Sequence, residues 1–203
     1  MPADARAGQT VSLVAFIRTR VRWFVPVLAV LVAACGVFEK KEPPPGPCPR
    51  ALILADAATI TQFRDGAGRD LLDVSHGGRI ARVHSDCTYD MKKDGTGVMK
   101  AQVFVAIDAE RGPANRNRIV PYRYFVTLSD SNHEPITKGA FDLVANFADN
   151  ITRVTLVDDT VEMTVPIRPG QSGRSFIVLV GFQLTEDQLQ YNRQIERERQ
   201  GAR

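Results

Sequence analysis

The chain has no apolar run long enough to span a bilayer comfortably. Its longest, residues 23–38, has sixteen residues with Pro26 inside, against the roughly 20 that spanning needs. A helix begun at Val11 would carry Arg18, Arg20 and Arg22 in its middle, which hydrocarbon penalises. No arginine or lysine run is long enough to track a phosphate backbone, which argues against nucleic acid as a partner. There is no G-x-S-x-G nucleophile elbow, no complete phosphate-binding glycine pattern and no strand–helix alternation of the α/β kind. Cysteines and histidines number only three each. No cofactor or metal is implied by their spacing.

What is present begins with Val32-Ala33-Ala34-Cys35, followed by Gly36. Ala33 and Ala34 are small enough to enter a peptidase cleft, and Cys35 carries a sulfur that can take a diacylglyceryl group. Upstream lie the apolar residues 23–34 and the arginines 18, 20 and 22. A charged n-region, a short h-region and a small-residue cleavage site form a signal peptide. The segment resembles a bacterial lipoprotein signal with its lipobox. That resemblance implies a signal peptide over residues 1–34, acylation of Cys35, and a lipid-anchored protein of the cell envelope facing the periplasm. Gly36 is not an aspartate, so the inner-membrane retention signal of enteric bacteria is lacking and the outer membrane is favoured. The alternatives are a plain cleavable signal and a retained signal anchor.

Removing the four arginines and one aspartate of residues 1–34 leaves 22 basic and 22 acidic side chains. The basic pI of about 8.9 therefore belongs to the leader, and the remainder is formally neutral. Residues 35–49 form a tether with a proline-rich end that favours extended polyproline. About 150 residues then remain, enough for one domain.

Cys48 and Cys87 are the two cysteines besides Cys35. In an exported protein an even pair usually bonds. The alternative is two reduced, buried thiols.

From Arg50 onward the hydrophobic period is mostly two. Ala81, Val83, Ser85, Cys87 and Tyr89 share one face of a strand, and Met99, Ala101, Val103, Val105 and Ile107 face inward on the return. Tyr122, Tyr124, Val126 and Leu128 align, as do Phe141, Leu143, Ala145 and Phe147. Residues 176–184 are apolar on both faces and should be central. Asp158-Asp159 reads as a hairpin tip between two strands. Thr185 and Gln188 fit a capping box opening a C-terminal helix, in which Tyr191 should fold onto the sheet and Arg193 be solvated. The expected fold is all-β: an antiparallel, immunoglobulin-like β-sandwich over residues 50–184, with a helix and tail over 185–203.

Candidate chemistry is sparse. His84 and Asp86 share a strand face but lack a third ligand, while Ser85 points the other way. His76-Gly77-Gly78 resembles an esterase oxyanion loop without its elbow, and reads as a turn. Asn150 turns the chain. Tyr122, Tyr124 and Phe125 are the aromatics to inspect as a binding platform, with core burial their commoner fate.

The stretch 180–193 is similar to the tail of a bacterial envelope lipoprotein family without an assigned activity. That resemblance carries over no functional residue. The expectation is a non-catalytic, lipid-anchored structural or adaptor protein. The alternative is a binding module for an envelope glycan, lipid or peptide, with a hydrolase behind both.

Overall fold

The computed structural model describes residues 46–66 and 68–202 of the chain. Among them are eight strands: β1 Arg50–Ile53, β2 Thr59–Phe63, β3 Val74–Met91, β4 Gly97–Arg111, β5 Ile119–Asp130, β6 Pro135–Asn146, β7 Arg153–Ile167 and β8 Phe176–Phe182. One helix, α1 Glu186–Gly201, follows. The strands form two four-stranded sheets, ordered β1-β8-β5-β6 and β2-β3-β4-β7. The chain is a β-sandwich with a C-terminal helix.

The alternation of each strand explains the layering. On β4 the side chains of Met99, Ala101, Val103, Val105, Ile107 and Ala109 are buried, while Lys100, Gln102 and Glu110 are exposed. From the opposite sheet, Tyr122, Tyr124, Val126 and Leu128 of β5 and Phe176, Val178, Val180 and Phe182 of β8 fill the same core. As expected, β8 is interior, between β1 and β5. Leu143 of β6 packs on the core half-buried. This apolar interlayer is the main source of stability, at roughly 25 cal/mol per Å² removed from water.

The structure departs from the sequence reading in four places. First, β1 runs parallel to β8, pairing Arg50 with Ile177 through Ile53 with Val180, so the sandwich is not wholly antiparallel. The helical turn Ala55–Ala57 carries the chain on to β2 in the other sheet. Second, Ala81 is exposed and does not share the inward face. A bulge lies between Ile80 and Arg82, with Ile80 opposite Ile107 and Arg82 opposite Ala106. The extra residue switches the strand phase, burying Ile80 upstream and Ser85 downstream. Third, Asp158-Asp159 is no hairpin tip. β7 is one 15-residue strand, and the register shifts opposite Phe104, between Val103–Val161 and Val105–Asp158. Fourth, His76-Gly77-Gly78 is no turn. It lies inside β3, paired with β2 on one side and β4 on the other.

Gly78 shows why a glycine stands in that strand. A Cβ there would meet Tyr122 Cε1 at 2.6 Å and Ile60 Cγ2 at 3.2 Å. The Tyr122 ring cannot retreat, because its hydroxyl donates to the Gly77 carbonyl at 2.6 Å. Gly78→Ala is expected to lose about 1–3 kcal/mol through overpacking. A urea unfolding curve compared with the unsubstituted chain measures it.

Candidate functional site

Two features stand out on this frame: a covalent clip at one end and a cleft beneath the helix. The clip is the Cys48–Cys87 disulfide, with 5.5 Å between the Cα atoms. Cys87 reaches it because the β3 alternation turns its side chain inward. The surrounding contacts fasten the same segment. The Tyr89 hydroxyl donates to the Pro47 carbonyl at 2.6 Å and accepts from the Gly173 amide at 2.7 Å. The buried Ser85 hydroxyl donates to the Pro49 carbonyl at 2.5 Å. Residues 46–49 are therefore packed on the sandwich and are not free tether. The rest of the tether, Cys35 and the lipobox lie outside the described residues.

The cleft encloses about 1250 Å³ between α1 and the outer face of the β2-β3-β4-β7 sheet. Its floor is set by strand register. Arg79, Asp108 and Thr155 stand abreast on β3, β4 and β7, and the neighbouring rung is Gly77, Glu110 and Arg153. Arg79 Nη2 lies 2.8 Å from Asp108 Oδ2, the Thr155 hydroxyl donates to Asp108 Oδ1 at 2.9 Å, and Arg153 Nη2 lies 2.9 Å from Glu110 Oε1. These ion pairs are exposed and add little stability, so their groups remain available to a ligand.

The helix forms the other wall. Thr185 caps it in a box with Gln188. Gln188 Nε2 donates to Gln62 Oε1 at 2.8 Å, and Asn192 Nδ2 donates to the Thr59 and Asp56 carbonyls at 2.8 and 3.1 Å. Arg193 is not merely solvated, since its Nε lies 3.0 Å from Asp56 Oδ2. Tyr191 meets Phe63 edge-on, with ring centroids 5.2 Å apart. No α1 residue is buried. The helix is moored at β2 by its first half, and Ile195, Glu196 and Arg199 of its second half line the cleft.

No protein-family model matches the chain, and no curated protein matches it. Among solved structures, it is similar to the variable (V) domain of the AgI/II polypeptide BspA of Streptococcus agalactiae. The identity is 14%, the match covers 62% of this chain and 72% of that one, and the TM-score is 0.20. A likeness at that score carries no argument about fold or function.

The residues singled out in the sequence are mostly dispersed. His84 Nε2 lies 3.0 Å from Asp86 Oδ1 with both side chains largely exposed, and among the described residues no group of three potential metal ligands converges. His76 packs edge-on against Tyr122 at 5.6 Å, and burial pushes its pKa down. Asn150 lies in the turn before β7. Tyr122 and Tyr124 are core residues, 1% and 0% exposed, so they form no surface platform. Phe125 faces outward half-buried beneath the Lys138 ammonium, 4.4 Å from its ring centre.

The bulge in β7 turns Asp158 inward, where its Oδ2 accepts from the Tyr124 hydroxyl at 2.7 Å. Burial, and then the Asp158 carboxylate, push the Tyr124 phenol upward. Burial pushes Tyr122 up to about 12. Both shifts are upward, so the folded domain holds these protons more tightly than the unfolded chain. Stability is full below the ordinary phenol value of about 10 and declines as pH rises above it. Ultraviolet titration should show these two phenols ionising only as the domain unfolds.

The cleft is not legible in the sequence because its lining comes from five separate stretches, spread from Ala55 to Gln200. The one local signal was the polar run Tyr191-Asn192-Arg193 on an otherwise thinly apolar helix.

Proposed function

We propose that this chain is a non-catalytic, lipid-anchored protein of the cell envelope, held by acylated Cys35 and facing the periplasm, where it acts as a structural or adaptor component. The observation that carries the reading is the Cys48–Cys87 bond. Disulfides persist in oxidising compartments, and this one fastens the chain where the tether meets the domain. The lipobox supports membrane attachment, and Gly36 supports the outer membrane. Two or more acyl chains anchor far more firmly than one. Cells fed labelled fatty acid should incorporate it into the unsubstituted chain and not into Cys35→Ala. Absence of label from the unsubstituted chain would overturn the reading. A binding module for an envelope glycan, lipid or peptide is the second reading, and the cleft under α1 favours it.

A further inference from the structure

We infer that the cleft between α1 and the outer sheet face binds an uncharged, polyhydroxylated chain, that is, an oligosaccharide. The inference rests on the binding-module reading and names its ligand class. The volume of about 1250 Å³ exceeds the roughly 300–1,000 Å³ of sites for single small molecules, which suits several linked units.

Charge narrows the class. Arg79, Arg153 and Arg199 are matched by Asp108, Glu110 and Glu196 around the cleft, and the fourth acid of the lining, Asp56, is paired with Arg193. Such a balance draws in neither a polyanion nor a polycation. It does set guanidinium donors beside carboxylate acceptors, at 2.8 Å in one pair and 2.9 Å in the other. A sugar hydroxyl both donates and accepts, so adjacent hydroxyls match such pairs. Half-buried Tyr191 and Ile195 offer apolar surface to the C–H face of a ring.

Backbone geometry weighs against a peptide. An extended peptide that binds a sheet as an added strand does so at its edge, through main-chain hydrogen bonds. The cleft floor is a sheet face whose ladders are already made between β3, β4 and β7. At the β2 edge, Asn192 already occupies the Thr59 carbonyl.

Gly77 makes the test clean. It sits on the floor, and a Cβ there would meet nothing nearer than the Ile60 carbonyl oxygen at 3.6 Å. Gly77→Trp therefore fills the cleft without entering the core. The experiment is calorimetric titration of the full chain in detergent with two probes, a linear hexamer of N-acetylglucosamine and a linear hexamer of glucose. Saturable binding of at least one is expected, weakened by at least about tenfold in Gly77→Trp and in Arg79→Ala/Arg153→Ala. Melting curves confirm that each variant is folded, and the double variant decides if Gly77→Trp does not fold. Failure of both hexamers to bind, or binding that the folded variants leave unchanged, would overturn the inference. The fatty-acid label reports on membrane attachment separately, so loss of one result leaves the other standing.

Discussion

Val180→Asp is expected to abolish folding. Val180 is 0% exposed and sits in the middle of β8, paired with Ile53 on one side and Val126 on the other. A carboxylate there loses its hydration and gains no cation, because the surrounding core is apolar. The group must either protonate or force the sheets apart, and burying an unpaired charge is among the few changes whose cost reaches about 4 kcal/mol or more. Domains of this size are stable by only about 5–15 kcal/mol. Thr164→Asp supplies the control. Thr164 lies on the outward face of β7, between the buried Met163 and Val165, and its change should stay within about 0.5 kcal/mol. Circular-dichroism melting of both variants compares them. Equal tolerance at the two positions would mean that the strand phase is wrong.

Removing the disulfide should have the next largest effect. The bond closes a loop across 39 positions of sequence, and the chain-entropy model gives it up to about 4 kcal/mol, an amount whose origin is model-dependent. Cys48→Ala/Cys87→Ala should lower the denaturation midpoint accordingly. The loss should also free residues 46–49, whose remaining ties are the Tyr89–Pro47 and Ser85–Pro49 hydrogen bonds. Chemical denaturation with and without reductant measures the first effect, and proteolysis before Arg50 the second. In the unsubstituted chain, thiol labelling after denaturation without reductant should leave both cysteines unmodified. Stoichiometric labelling of both would show that the bond is not formed in solution.

What was legible in the sequence was local. The inward faces of β4 and β5 follow from period two, the run apolar on both faces marks β8 as interior, and the Thr185–Gln188 box opens α1 where the pattern places it. What was not legible depends on a partner strand. A bulge such as that at Ala81 exists because β4 keeps its own register while β3 carries one residue more. The same holds at Asp158-Asp159, where two adjacent acids looked like a turn and instead break the phase of a continuous strand. β1 is four residues long, too short for its composition to fix a direction, and its parallel pairing shows only against β8. Of the candidate site, the disulfide could be expected from cysteine arithmetic. The cleft could not, because Arg79, Glu110, Arg153 and Arg199 meet only once the sheet and helix are assembled.

The position of the disulfide relative to β1 has a mechanical consequence. Cys48 precedes β1, and its bond leads directly to Cys87 in β3. A pull arriving along the chain from before Cys48 therefore passes into β3 and bypasses β1. β3 is an 18-residue strand hydrogen-bonded to β4 from His76 to Met91, with Cys87 opposite Ala101, so the load enters a long ladder in place of a four-residue edge. In the reduced molecule the same pull would load the Tyr89–Pro47 and Ser85–Pro49 hydrogen bonds and then β1 with its short ladder to β8. Oxidation thus converts the shortest described strand of the sandwich into a bystander under tension.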